Sequence, residues 1–197
     1  NKGVIQSSII VREEIEGTQT ELANKGGILT SKFTSNKANN GGAIYNEGKL
    51  TVGRTTFTSN KATATDGENG YSGGLGGAVF NKTTAENGAN VLGSTFSKNT
   101  AYKGGAVYNE GKLDIDRYEF VSLNKKKQPV YKYYNNSFTS NSATMGGAIY
   151  SNNELNVNYA TFKSNKAVNT IVNGETQKGL GGAIYVEKDS TANISNS

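Results

Sequence analysis

Cysteine, histidine and tryptophan are absent from this 197-residue chain, and proline occurs once. Without Cys or His there is no thiol nucleophile, no Ser-His-Asp triad and no zinc site of ordinary composition. Disulfides are impossible, so cysteine usage says nothing about the redox compartment. Apolar residues are scarce at 34%, too few for a close-packed helical domain. No run of about 18 apolar residues is present, so no segment reads as a membrane-spanning helix. No signal-peptide pattern is visible and residue 1 is Asn rather than Met; the expectation is an excised or processed piece of something longer. Arginine is rare too, with Arg12, Arg54 and Arg117 among 21 basic residues and a net charge of +5. Only Lys125, Lys126 and Lys127 form a run, which fits a solvated surface better than the basic stripe of a nucleic-acid groove.

What the chain does have is glycine and asparagine, 25 and 26 residues, which with abundant Ser and Thr favour strands joined by tight turns. Two short motifs alternate five times. Phe-x-x-Asn occurs at Phe33–Asn36, Phe57–Asn60, Phe96–Asn99, Phe138–Asn141 and Phe162–Asn165. Gly-Gly-Ala-(Ile/Val)-aromatic begins at Gly41-Gly42, Gly76-Gly77, Gly104-Gly105, Gly146-Gly147 and Gly181-Gly182. Phe33 to Phe57 and Phe138 to Phe162 are both 24 residues apart. Alternating segments such as Leu50-Thr51-Val52, Leu113-Asp114-Ile115 and Leu155-Asn156-Val157 lie between a Gly-Gly motif and the next Phe. A unit of about three short strands cannot bury its inward residues alone, but a stack can. The reading is an all-β parallel β-helix, a single-stranded solenoid whose coils pair about 4.8 Å apart.

Stacking assigns each position a physical role. The five Phe form one internal column, and Ile44, Val79, Val107, Ile149 and Ile184 another. Tyr45, Phe80, Tyr108, Tyr150 and Tyr185 then face the other way, because side chains alternate along a strand. Asn36, Asn60, Asn99, Asn141 and Asn165 form an amide ladder, and the paired glycines suit tight turns or close backbone approach. Glu47, Lys82, Glu110, Asn152 and Glu187 form a column in which acid, base and acid alternate as charge pairing favours.

Departures from the basal repeat locate excursions. Phe to Gly-Gly is 8 residues in three units and 19 in two, placing extra chain near 62–75 and 167–180; a smaller insertion lies near 83–90. Each carries Asn-Gly, the strongest short hairpin signal. The largest excursion, 117–134, is expected to be a hairpin with an aromatic body (Tyr118, Phe120, Tyr131, Tyr133, Tyr134) and a basic tip (Lys125, Lys126, Lys127). Loops leaving a rigid scaffold are where binding function concentrates, so these eight residues are the candidate binding set; the alternative is that the aromatics merely cover the flank. Residues 1–32 lack both motifs and read as a degenerate first coil or N-terminal cap, with 33–197 as the repeat region. Ala192-Asn193-Ile194 matches the start of a sixth coil, whose open end is an unprotected edge, so the stack is expected to continue into adjoining coils. Asn81-Lys82-Thr83 and Asn193-Ile194-Ser195 are formal glycosylation sequons.

In its alternating motifs the chain resembles the polymorphic outer membrane protein (Pmp) repeat family, known from chlamydial autotransporters, over Phe33 to about Tyr185. The resemblance implies a right-handed parallel β-helix on a cell surface, outer membrane or cell wall, that mediates adhesion to a protein or glycan receptor. With the composition above, no cofactor, no metal, no nucleic acid and no membrane insertion are expected of this segment. Three function classes stay open: an adhesin-like module, a structural spacer, and a polysaccharide-cleaving enzyme. For the last, paired carboxylates are needed. Asp114 and Asp116 are the best pair, but they point to solvent beside inward Leu113 and Ile115, and Thr51, Gly53, Asn156 and Asn158 occupy the matching places in other coils.

Overall fold

The computed structural model describes residues 27–67, 70–83 and 88–197, and every regular element among them is a strand. Three parallel sheets run along the molecule. Sheet A takes Gly27–Leu29, Leu50–Gly53, Ala89–Leu92, Leu113–Asp116, Leu155–Asn158 and Ala192–Ser195. Sheet B takes Lys32–Thr34, Thr56–Thr58, Thr95–Ser97, Asn136–Thr139 and Ala160–Lys163. Sheet C takes Ile44–Asn46, Val79–Asn81, Val107–Asn109, Ile149–Ser151 and Ile184–Val186. Neighbours in each sheet come from successive coils, with Phe33, Phe57, Phe96, Phe138 and Phe162 in register. That is a parallel β-helix. Of residues 1–32, only 27–32 fall within the described residues, holding the strand Gly27–Leu29 and the start of Lys32–Thr34; the Val4–Val11 and Arg12–Leu22 readings lie outside them.

The coil turns where single residues adopt the left-handed conformation. Ser35, Ser59, Lys98, Ser140 and Ser164 do so directly before the ladder asparagines, and Gly41, Gly76, Gly104, Gly146 and Gly181 do so at the glycine corner. A third column is Thr30, Arg54, Gly93, Tyr159 and Asn196. A left-handed L-residue costs roughly 1–2 kcal/mol, and the amides that follow the serines offset it. Asn99 Oδ1 accepts from the backbone N and Nδ2 of Asn60, while its own Nδ2 donates to Asn141 Oδ1 and the Phe57 carbonyl. The same pattern repeats along the ladder, leaving no buried side-chain polar atom unpartnered among the described residues.

The interior is apolar between these corners. The Phe rings stack with centroids 4.7–5.0 Å apart and planes within 9° of parallel, a spacing dictated by the coil repeat. Leu and Val or Ile from sheet A and the Ile/Val column of sheet C complete the core. A second amide column, not anticipated from the sequence, runs beside it. Asn46 donates to Asn81, Asn81 to Asn109, and Asn109 to Ser151. Asn81, the first formal sequon, is thereby fully buried; Asn193, the second, is exposed.

The outward aromatics of sheet C are themselves covered. Phe80, Tyr108 and Tyr150 are buried under Leu75 and Met145, and the Lys103 ammonium sits 4.8 Å from the Tyr150 ring centre. The expected acid–base column yields one ion pair, Lys82–Glu47 at 3.6 Å. Further along, the Tyr150 hydroxyl engages Glu187 instead. Burial first, then the neighbouring Glu110 for Tyr108 and Glu187 for Tyr150, pushes both phenols above their ordinary value. Above about pH 10 the unfolded chain releases phenolic protons that the folded chain retains, so stability falls as pH rises. Urea unfolding across pH 9–11 is expected to show this loss, and the Tyr108→Phe/Tyr150→Phe variant a flatter profile.

Three excursions leave the coil as antiparallel hairpins: Ala64–Gly67 with Gly70–Gly73, Thr170–Val172 with Glu175–Gln177, and Tyr118–Leu123 with Pro129–Tyr134. The hairpin expected near 83–90 falls partly on residues 84–87, outside the described residues.

Candidate recognition hairpin

The chain departs sheet A after Asp116 and re-enters sheet B at Asn136. Asn136 closes this neck: its Nδ2 donates to the Asp116 carbonyl at 2.6 Å, and its Oδ1 accepts from the Ser94 backbone at 2.9 Å. Gly93 explains why the hairpin fits against the preceding coil. Its φ is +55°, and a Cβ there would lie 2.6 Å from the Tyr134 carbonyl oxygen and 2.7 Å from Tyr118 Cβ. Two guanidiniums grip the base. Arg54 lies 4.7 Å from the Tyr134 ring centre and 5.7 Å from that of Tyr118. Arg117 is held between Tyr133 and Tyr159 at 4.1 and 4.3 Å, each contact of the order of 0.5–1 kcal/mol at an exposed site.

Strand alternation divides the candidate residues between two faces. Tyr118 opposite Tyr134, and Phe120 opposite Lys132, share one face, and Tyr118, Phe120 and Tyr134 there are half-buried. The opposite face carries Val121 across from Tyr131 and Glu119 across from Tyr133. Tyr131 and Tyr133 are 54% and 46% exposed, and Val121 and Leu123 37% and 40%, so this apolar face is open. The Tyr131 and Tyr133 rings lie within 8° of parallel, 6.5 Å apart. The aromatics are thus divided: Tyr118 and Tyr134 cover the flank, while Tyr131 and Tyr133 stay open to solvent.

The tip is ordered by Asn124, whose Oδ1 accepts from the backbone N of Lys126 and Gln128 and whose carbonyl accepts from Lys127 N. Lys125, Lys126 and Lys127 are exposed.

Beside the neck, the outer face of sheet A forms a shallow cleft of about 250 Å³ lined by Asp114, Asp116, Asn156, Asn158, Asn193 and Ser195 among others. The residues set aside as solvent-facing in the sequence thus line a common surface. Its amides are mutually engaged: Asn193 donates to Asn156, and Asn156 to Asp114 and Glu154. Hydrogen bonding from Asn156, then from Lys112, lowers the Glu154 carboxyl below its ordinary range. Among the described residues no three acidic side chains gather as a metal site would require.

A model of the Chlamydia polymorphic membrane protein repeat matches residues 30–47, 93–110, 137–152 and 159–187. These segments hold four of the five Phe-x-x-Asn motifs; the coil containing Phe57 and the 64–73 hairpin is tied to them by register instead. A protein described as probable outer membrane protein pmp6 of Chlamydia pneumoniae is 40% identical over 85 residues, 42% of this chain. The match spans 6% of that much longer relative. No solved structure matches the chain.

Proposed function

This chain is built from repeats of the Chlamydia polymorphic membrane protein family, and from that premise we propose that it is a surface-displayed, adhesin-like module. The coil is scaffold, and the 117–134 hairpin is its contact with a receptor on a host or neighbouring cell. The outer-membrane description of the pmp6 relative supports display at a cell surface. One observation carries the reading: the hairpin adds nothing to the coil's register, yet it holds Tyr131, Tyr133, Val121 and Leu123 open to solvent. Exposed apolar groups gathered on one face mark interaction sites. Asp114 and Asp116 have no role in this reading, which is non-catalytic.

The unbroken ladders also fit a stalk that only spans distance. Binding of the labelled purified chain to epithelial cells separates the two. Saturable binding, displaced by unlabelled chain and reduced at least about fivefold by Tyr131→Ala/Tyr133→Ala, is expected of the adhesin. A spacer would show no displaceable binding.

A further inference from the structure

The charge of this molecule is unevenly placed. The 18-residue hairpin 117–134 carries Arg117, Lys125, Lys126, Lys127 and Lys132 against one acid, Glu119, a net +4. The whole chain is +5 with 21 basic and 16 acidic residues, so the remaining 16 basic and 15 acidic residues sum to +1. Almost all the net charge stands on the one element that leaves the coil furthest. The ion pairs among the described residues, Lys82–Glu47 and Lys112–Glu154, lie elsewhere.

We propose that the outer face of this hairpin binds a linear anionic glycan, its pyranose rings on Tyr131 and Tyr133 and its sulfates or carboxylates on Arg117 and Lys125–Lys127. The proposal rests on the adhesin reading and names the ligand class. Charge complementarity sets the sign of the partner. Geometry sets its shape: the cations sit at the two ends of a six-residue strand, Tyr118–Leu123, roughly 20 Å long, with the tyrosines between them. A single small anion cannot reach both ends, whereas an extended polymer with recurring charges can. Stacking needs flat, accessible rings, and Tyr131 and Tyr133 are parallel and half exposed. The sites are also pre-formed, which limits the ordering cost of binding. Arg117 is fixed between two rings, and Asn124 fixes the backbone beneath the lysines. A bilayer fits less well, because an inserting element leads with apolar groups and this one leads with three lysines.

The test is fluorescence titration of the purified chain with a heparin octasaccharide. An uncharged dextran oligosaccharide of equal length, phosphatidylserine-containing vesicles and a polyglutamate peptide serve as comparators. Heparin is expected to bind best, with affinity falling as salt rises. Lys125→Ala/Lys126→Ala/Lys127→Ala should weaken it roughly tenfold, and Tyr131→Ala/Tyr133→Ala about fivefold, with Tyr131→Phe/Tyr133→Phe retaining the affinity because the rings remain. Lys37→Ala/Lys61→Ala, on the coil, should bind as the parent does. Equal or tighter binding to dextran, vesicles or polyglutamate overturns the proposal, as does heparin binding indifferent to the hairpin variants. Hairpin-dependent cell adhesion that heparin does not inhibit would overturn the glycan assignment alone. Absence of cell adhesion would overturn the adhesin reading itself.

Discussion

Replacing Asn99 by alanine is expected to destabilise the fold by about 4 kcal/mol, among the largest effects of any side-chain truncation in the ladder. Asn99 is fully buried. Its loss leaves the buried Asn60 backbone N without its acceptor, takes one acceptor from Asn60 Nδ2, and removes one donor each from the Phe57 carbonyl and from Asn141 Oδ1, which keeps the Asn99 backbone N. Each buried group left unpaired costs about 1–3 kcal/mol, and for a chain of this size the melting temperature should drop by roughly 10 °C or more. Asn36 occupies the same motif position at the end of the described ladder. It donates twice to Asn60 but is itself exposed, so Asn36→Ala should cost below about 1 kcal/mol. Urea unfolding of the two variants beside the parent checks this; equal losses would contradict a buried, cooperative ladder.

The second large effect is at glycine, and it depends on whether another coil follows. A Cβ on Gly105 would lie 2.1 Å from the Gly147 carbonyl oxygen and 2.7 Å from the Ser142 nitrogen, both in the next coil. Gly105→Ala forces the coils apart and is expected to cost more than about 4–5 kcal/mol, enough to abolish folding of a marginally stable chain. Gly182 has the same place in the same motif, but its added Cβ would meet only the Asn165 carbonyl oxygen at 3.8 Å. Gly182→Ala should therefore fold with near-parental stability. Circular dichroism and soluble yield read both outcomes, and a tolerated Gly105→Ala would mean that the coils do not approach so closely.

These contrasts indicate what a sequence of this kind makes legible. A position that repeats once per coil is visible because stacking places identical demands on every coil, so the Phe column, the first Asn ladder and the Gly-Gly corner could be read directly. The Asn46–Asn81–Asn109–Ser151 column carried the same signal one residue past each aromatic, but Ser151 and Val186 break its identity. The left-handed serines were less legible, since that conformation usually signals Gly or Asn and the supporting amide belongs to the adjacent residue. Burial of Phe80, Tyr108 and Tyr150 could not be read locally, because Leu75, Lys103 and Met145 come from the turns before the glycine corner. The charge column falls short for a related reason: the Tyr108 hydroxyl engages Glu110, the other acid expected beside Lys82.

The hairpin itself was visible by subtraction from the basal coil, but the division of its aromatics was not. Which tyrosines cover the flank depends on Gly93 in the preceding coil and Tyr159 in the next. Neither is near residues 118–134 in the repeat pattern. The Asp114–Asn158 cleft is likewise invisible position by position, although the residues form one surface once the coils are stacked.

Replacing 117–134 with a short Gly-Asn link tests most directly whether scaffold and recognition are separable in this molecule. Asp116 and Asn136 are joined across the neck, so the link has little distance to bridge. Cell binding and urea unfolding are measured on the same preparation. The expected result is a folded coil with near-parental stability and cell binding lost. A folded variant that still binds cells would contradict the account and move recognition to the coil faces or the remaining hairpins.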